Sequence, residues 1–269
     1  MIASIYSSSL HATPVYNTGK TSGWKRAVFY TLLVGWSVLF FFLIKPYSEV
    51  WQAIYHNAGI PEGYEIRGID VSHYQGHINW QRLSLTDIKD APISFAIVKA
   101  TEGVTIDDAN FDDNFRDSRR YGLLRGAYHF FTPDEPASAQ AAHFISRVHL
   151  EKGDLPPVLD IETVGDLSPQ DIHDAVLTWL LLTEDHYGAK PILYTNLNFK
   201  LRYLNSPDFD QYPFWIAHYY VKNVGWNGKW HFWQHTDRGR LPGIPTFVDF
   251  NVFNGSMYAL KQLCVTKDS

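Results

Sequence analysis

The chain has 269 residues, is 45% hydrophobic and 19% charged, and carries a formal net charge of −5. That composition excludes disordered and fibrous classes and allows one sizeable core, or a membrane segment plus one domain. No Asp or Glu precedes Glu49, so setting aside Lys20, Lys25, Arg26 and Lys45 leaves 19 basic against 28 acidic residues beyond it, near −9. An acidic domain of this kind lacks the electrostatic footprint of a nucleic-acid binder, and its charge would not draw it onto anionic lipid.

Residues 1–26, rich in Ser, Thr, Gly and Tyr, read as a cytoplasmic tail. Residues Ala27–Ile44, AVFYTLLVGWSVLFFFLI, carry no charged side chain. At ~1.5 Å per residue they would reach roughly 27 Å, close to the hydrocarbon thickness of a bilayer. The run is longer than a signal-peptide core and no small-residue cleavage site follows it. It is therefore read as a single transmembrane anchor. The basic residues before it keep the N-terminus in the cytoplasm and send the remainder across, as a single-pass membrane protein. Residues 45–64 read as a linker.

From Glu65 onward, apolar runs bounded by turn residues recur at Ile66–Val71, Ile93–Ala100, Leu124–Phe131, Pro157–Ile161, Pro191–Thr195, Phe214–Ala217, His231–Gln234 and Thr246–Val252. Helical stretches fall at Asn110–Tyr121, Pro136–His149, Pro169–Tyr187 and, shorter, Leu197–Leu204. Ser168 is placed as an N-cap and Pro169 at the first helical position. Alternating β and α elements argue for a parallel sheet, and eight strands argue for its closure. The expected fold is α/β: an irregular TIM-like barrel of about eight strands with five β-α units and three further strands, over residues 65–265. The lone Cys264 permits no internal disulfide and reads as a small buried apolar residue.

Polar residues gather where these strands end. They include Asp70, Lys99, Glu102, His129, Asp160, Glu162, Tyr194, Asn196, His218, Gln234, His235, Asp249 and Asn251. In β/α barrels those ends build the active site. Any strand meeting water ends in polar residues, but that does not explain acids inside apolar runs such as VLDIE and FVDFN. Asp160 and Glu162 are two apart on a strand and share a face, with Cα atoms roughly 6.5–7 Å apart. Crowded carboxyls raise the pKa of at least one, so one can stay protonated while another ionises. Glycosidic cleavage needs that division of labour. A metal site using the acids with His129, His218 and His235 is the rival, but no H-x-H or H-E-x-x-H spacing and no cysteine pair is present. Tyr219, Tyr220, Trp226, Trp230 and Trp233 cluster late, where their faces could stack on sugar rings or simply fill the core.

RGIDVSHYQGHINW, FAIVKATEG, GAYHFF, VLDIE, ILYTN, FWIAHY, FWQH and VDFN occur in the order found in glycoside hydrolase family 25, the Chalaropsis-type lysozymes or N-acetylmuramidases. The resemblance covers about residues 65–265. It implies hydrolysis of the β-1,4 bond from N-acetylmuramic acid to N-acetylglucosamine in peptidoglycan, with no cofactor. By position, Glu162 resembles the general acid. Asp160 resembles its partner, either orienting the substrate acetamido group or stabilising the charged intermediate. Asp70 and Asp249 resemble the two remaining acids of the family site, and Tyr194, Tyr128, Lys99 and Gln234 are candidate substrate contacts. Asn79 stands where the family commonly has Asp, at a position unlikely to touch the chemistry. A catalytically silent glycan-binding barrel and a metal-dependent hydrolase are the alternatives.

Overall fold

A computed structural model describes residues 23–40 and 59–269. The chain divides into two compact units, Met1–Ser48 and Glu49–Ser269.

In the first unit a helix, α1, spans Gly23–Leu39, and none of its residues is buried. It begins before the expected anchor, taking in Lys25 and Arg26, and residues 41–44 of the expected run lie beyond the described ones. Its uncharged part, Ala27–Leu39, covers only ~20 Å at ~1.5 Å per residue, against roughly 30 Å of hydrocarbon. Among the described residues no helix is long and apolar enough to cross a membrane, so the transmembrane anchor read from the sequence is not supported. Residues 41–44 of that run, most of the tail and most of the linker lie outside the described residues.

The second unit is a closed barrel. Its strands are β1 (Ile66–Val71), β2 (Ala91–Glu102), β3 (Leu124–Phe130), β4 (Val158–Asp160), β5 (Ile192–Asn196), β6 (Phe214–Ala217), β7 (Phe232–Gly239) and β8 (Val248–Phe253). Consecutive strands from β1 to β7 pair in parallel. β8 closes the ring by pairing antiparallel with both β7 and β1. This corrects the expectation of a parallel sheet throughout. A parallel return needs a crossover of a dozen or more residues, and only residues 240–247 separate β7 from β8.

Helices α2 (Phe111–Arg120), α3 (Ala137–Arg147), α4 (Pro169–Tyr187) and α5 (Leu197–Tyr203) follow β2 to β5. The first β-α unit is reduced: a 3₁₀ turn at His73–Gln75 and one helical turn at Trp80–Leu83 replace a full helix. Asn79 caps that turn by accepting from the Arg82 backbone N–H, which gives the family departure a local structural role. A helix not expected from the sequence, α6 (Met257–Leu263), follows β8 and ends at a half-buried Cys264.

Helix α4 shows how the sequence sets these elements. Ser168 Oγ accepts from Asp171 N–H, the Asp171 carboxylate accepts from Ser168 N–H, Pro169 occupies the first turn, and Gly188 ends the helix at φ +65°. Its buried face, Ile172, Val176, Trp179, Leu180, Thr183 and Tyr187, recurs at helical spacing. Trp179 packs on Phe144 of α3 and stacks on His129 of β3. Ser168→Ala removes the cap and should cost about 1 kcal/mol, lowering the melting temperature by roughly 2–4 °C. Calorimetry checks this.

Inside the ring, Phe95, Ile97, Val158, Ile192, Trp215, Phe232 and Phe253 form an apolar floor. A Cβ at Gly68 would strike the Phe95 ring, so glycine there lets the ring fill the floor. Below it, Arg125 of β3 is buried and holds both Asp154 oxygens, Nε to Oδ1 at 2.9 Å and Nη2 to Oδ2 at 3.0 Å. Arg125 Nη1 also donates to the Phe115 carbonyl at 3.1 Å. The C-terminal residues are tied to the same end: Val265 N–H donates to Asp154 O at 2.9 Å, and Ser269 N–H to Leu150 O at 2.9 Å.

Candidate active site

The period-2 alternation of the strands carries the apolar floor into a polar mouth. One pleat beyond Ile97, Val158, Ile192 and Phe232 on the same face stand Lys99, Asp160, Tyr194 and Gln234. Asp70 and Asp249 are direct partners in the β1–β8 ladder, and Asp160 lies between its partners Phe130 and Tyr194. Because β8 runs backwards, its second residue, not its last, reaches the mouth. Asp249 therefore joins the other acids from the start of its strand, where the sequence reading had placed it near the end.

The structure brings the sequence-predicted residues to one rim. Asp70 is buried, and its Oδ1 accepts from Gln234 Nε2 at 2.8 Å and Asn251 Nδ2 at 2.7 Å. Tyr194 and Tyr219 hydroxyls each donate to Gln234 Oε1 at 2.7 Å, and Trp215 Nε1 donates to Asn251 Oδ1 at 2.9 Å. Asp160 is buried, with Oδ1 lacking any hydrogen-bond partner. Glu162, just past the end of β4, is half-buried and opens toward solvent. Lys99 is buried but turns to Glu102, Nζ to Oε2 at 2.6 Å, and lies over the Phe130 ring. Tyr128 is the ladder partner of Lys99.

Crowding and burial set the protonation states. Burial pushes Asp160 well above the usual carboxylate range, the charges of Glu162 and Asp70 add to this, and Lys99 opposes it. Burial alone raises Glu162. Burial also raises Asp70, but the amide hydrogen bonds from Asn251 and Gln234 hold it to about 6. Asp249 has no such donors, and burial plus the charge on Asp70 push it up to about 9. The pair thus divides into an ionised Asp70 and a protonated Asp249. Burial keeps Tyr128 and Tyr194 neutral, hence hydrogen-bond donors.

A carboxyl whose folded-state pKa is raised favours the folded state at low pH, and that contribution fades as pH rises through the folded value. Asp249 is therefore a liability at neutral pH. Asp249→Asn should stabilise the fold by about 2 kcal/mol at pH 7, roughly 4–8 °C, with the gain vanishing near pH 4. Melting curves at the two pH values check this; equal gains at both would contradict it.

The histidines considered as metal ligands have other roles. His129 bonds Thr101 Oγ1 at 2.7 Å and Gln140 Oε1 at 3.0 Å, and burial lowers it to about 4. His218 Nδ1 lies 2.7 Å from Val224 O, and His235 is buried between Trp233 and Phe250. Among the described residues no group of three His, Cys, Asp or Glu side chains is placed to hold a metal ion. Of the late aromatic cluster, Tyr219 reaches the acid network; Trp226 packs on Phe214, and Trp230 and Trp233 pack on Tyr64. Trp215 and its link to Asn251 were missed from the sequence, where FWIA reads as plain core. The signal available was the inward register that Trp215 shares with Ala217.

A buried acid set with divided protonation, at the mouth of a β/α barrel, defines a glycoside hydrolase. The family model described as glycosyl hydrolases family 25 matches residues 69–244, and the chain belongs to that family. The uncharacterized protein YegX of Escherichia coli K12 is 45% identical over 203 residues, 75% of this chain and 74% of that protein. Lysozyme M1 of Streptomyces globisporus is 35% identical over 213 residues, 74% of this chain and 71% of that protein. A family 25 glycosyl hydrolase from Bacillus anthracis superposes with a TM-score of 0.69 at 32% identity, covering 77% of this chain and 97% of that one.

Proposed function

We propose that the chain is a muramidase of the lysozyme type, hydrolysing the β-1,4 bond between N-acetylmuramic acid and N-acetylglucosamine in peptidoglycan. The observation that carries this reading is the pairing of a deeply buried, unpartnered Asp160 oxygen with a more open Glu162 on the same strand end. Glu162, raised by burial, is the carboxyl with access to a bridging sugar oxygen. Proton delivery cleaves the bond as positive charge grows at the sugar carbon. Asp160 lies behind, where it orients the acetamido group of the substrate or stabilises that charge directly. Glu162 then takes a proton from the incoming water. Tyr128, kept neutral, is a donor for sugar hydroxyl or carbonyl oxygens, and Tyr194, whose proton goes to Gln234, can accept from a sugar hydroxyl.

The likeness to lysozyme M1 and to the solved family 25 structures supports the substrate class. Mass spectrometry of products released from purified peptidoglycan tests the bond. Fragments with N-acetylmuramic acid at the reducing end support the reading; N-acetylglucosamine at that end would overturn it. The same reading places the barrel on the peptidoglycan side of the cytoplasmic membrane. A reporter fused after Ser269 and active only outside the cytoplasm tests this.

A further inference from the structure

We infer that Trp215 is a positioning residue: its indole N–H fixes the orientation of Asn251 so that the amide must turn its NH₂ toward Asp70, keeping Asp70 the ionised member of the Asp70–Asp249 pair. The inference rests on the muramidase reading only for its catalytic consequence.

Two amides hold Asp70, and they are held differently. An indole N–H can only donate, so the atom of Asn251 that it meets at 2.9 Å is the oxygen, and the nitrogen is left for Asp70 at 2.7 Å. Phenols can donate or accept, so Tyr194 and Tyr219 would tolerate either orientation of Gln234. Gln234 therefore follows the charge of Asp70, whereas Asn251 dictates it. All three members of the fixed arm are at most partly wetted: Trp215 is 2% exposed, Asn251 1% and Asp70 8%. In this buried setting a flipped Asn251 would set a carbonyl against the carboxylate and leave the indole unpaired.

Asp70 is faced by Asp249 from β8, Asp160 and Glu162 from the end of β4, Tyr128 from β3, Tyr194 from β5 and Tyr219 after β6. Lys99 of β2 is the cation among them and acts on Asp160. The other titratable groups are acidic or phenolic, so the two amide donors, with a smaller backbone N–H contribution, are what favour charge on Asp70. With Asp70 charged, the neighbouring acids hold their protons, which a general acid requires.

The first readout needs no substrate. In protein labelled with ¹³C at aspartate carboxyls, the Asp70 titration of Trp215→Phe should move up by roughly half a pH unit or more, the size expected on losing one amide bond. The acidic limb of kcat/KM should move with it. Asn251→Ala should move the titration the same way. Adding Trp215→Phe to Asn251→Ala should move it no further, because Trp215 acts only through Asn251. If Trp215→Phe does not fold, replacing the tryptophans with a ring-blocked N-methyl analogue at position 215 alone gives the same readout. An unchanged Asp70 titration in the single variant, or a further shift in the double variant, overturns the inference. Absence of peptidoglycan hydrolysis by the unsubstituted chain, with the expected titration shifts present in the variants, would instead count against the muramidase reading alone.

Discussion

Glu162→Gln should reduce kcat/KM on peptidoglycan by at least about 10³-fold while leaving the barrel folded and glycan binding intact. Glutamine fills the same half-buried volume and keeps a hydrogen-bonding head, but it has no proton to give. The loss should fall mainly on kcat, because the proton moves only in the transition state. Substrates with a leaving group that departs without protonation should lose far less. Reducing-end release by the full chain measures the effect. Retention of more than a tenth of the wild-type rate would remove Glu162 from the role of acid. The same substitution ends the cost of burying an ionisable carboxyl, so its melting temperature at pH 7 should not fall.

The second large effect lies at the other end of the barrel. Asp154→Ala should destabilise the fold by about 3 kcal/mol, lowering the melting temperature by roughly 6–12 °C. Arg125 is 6% exposed, and deleting Asp154 strands its charge against Phe115 of α2. Relief comes only in part from Glu151, whose carboxylate reaches Arg125 Nη2 at 3.1 Å but is mostly exposed. The substitution also frees the Glu151 N–H, which now donates to Asp154 Oδ2 at 2.9 Å. Urea unfolding checks the magnitude. The protein that remains folded should hydrolyse normally, since Asp154 lies at the end of the barrel away from the acids. A matched apolar pair at 125 and 154 should recover much of the loss.

These two sites differ in how they could be read from the sequence. The acids announced themselves because Asp160 and Asp249 interrupt apolar strands, and their convergence followed once eight strands were counted. The strand positions were legible for the same reason: β1 and β6 were bounded by turn residues on both sides, and α4 carried its own cap, Pro169 and Gly188. The direction of β8 was not legible from its alternation, which is the same for either direction; only the short link from β7 carries it. The reduced first unit and α6 escaped because both are short and their apolar residues repeat too few times to set a period. Asp154 escaped altogether, since EKGDLP reads as an ordinary turn and gives no sign of an arginine buried 29 positions earlier. For the N-terminal run, composition described a span from Ala27, whereas the described helix starts earlier, at Gly23, and takes in Lys25 and Arg26.

The reversed β8 and the ties at Leu150 and Asp154 have a joint consequence for how the domain can be handled. Ile66 enters the barrel, and Ser269 leaves it, on the face that lies opposite the carboxyls. Cargo attached after Ser269, whether a surface tether, a dye or a second enzyme, would trail behind the mouth and leave the approach of a long polysaccharide unobstructed.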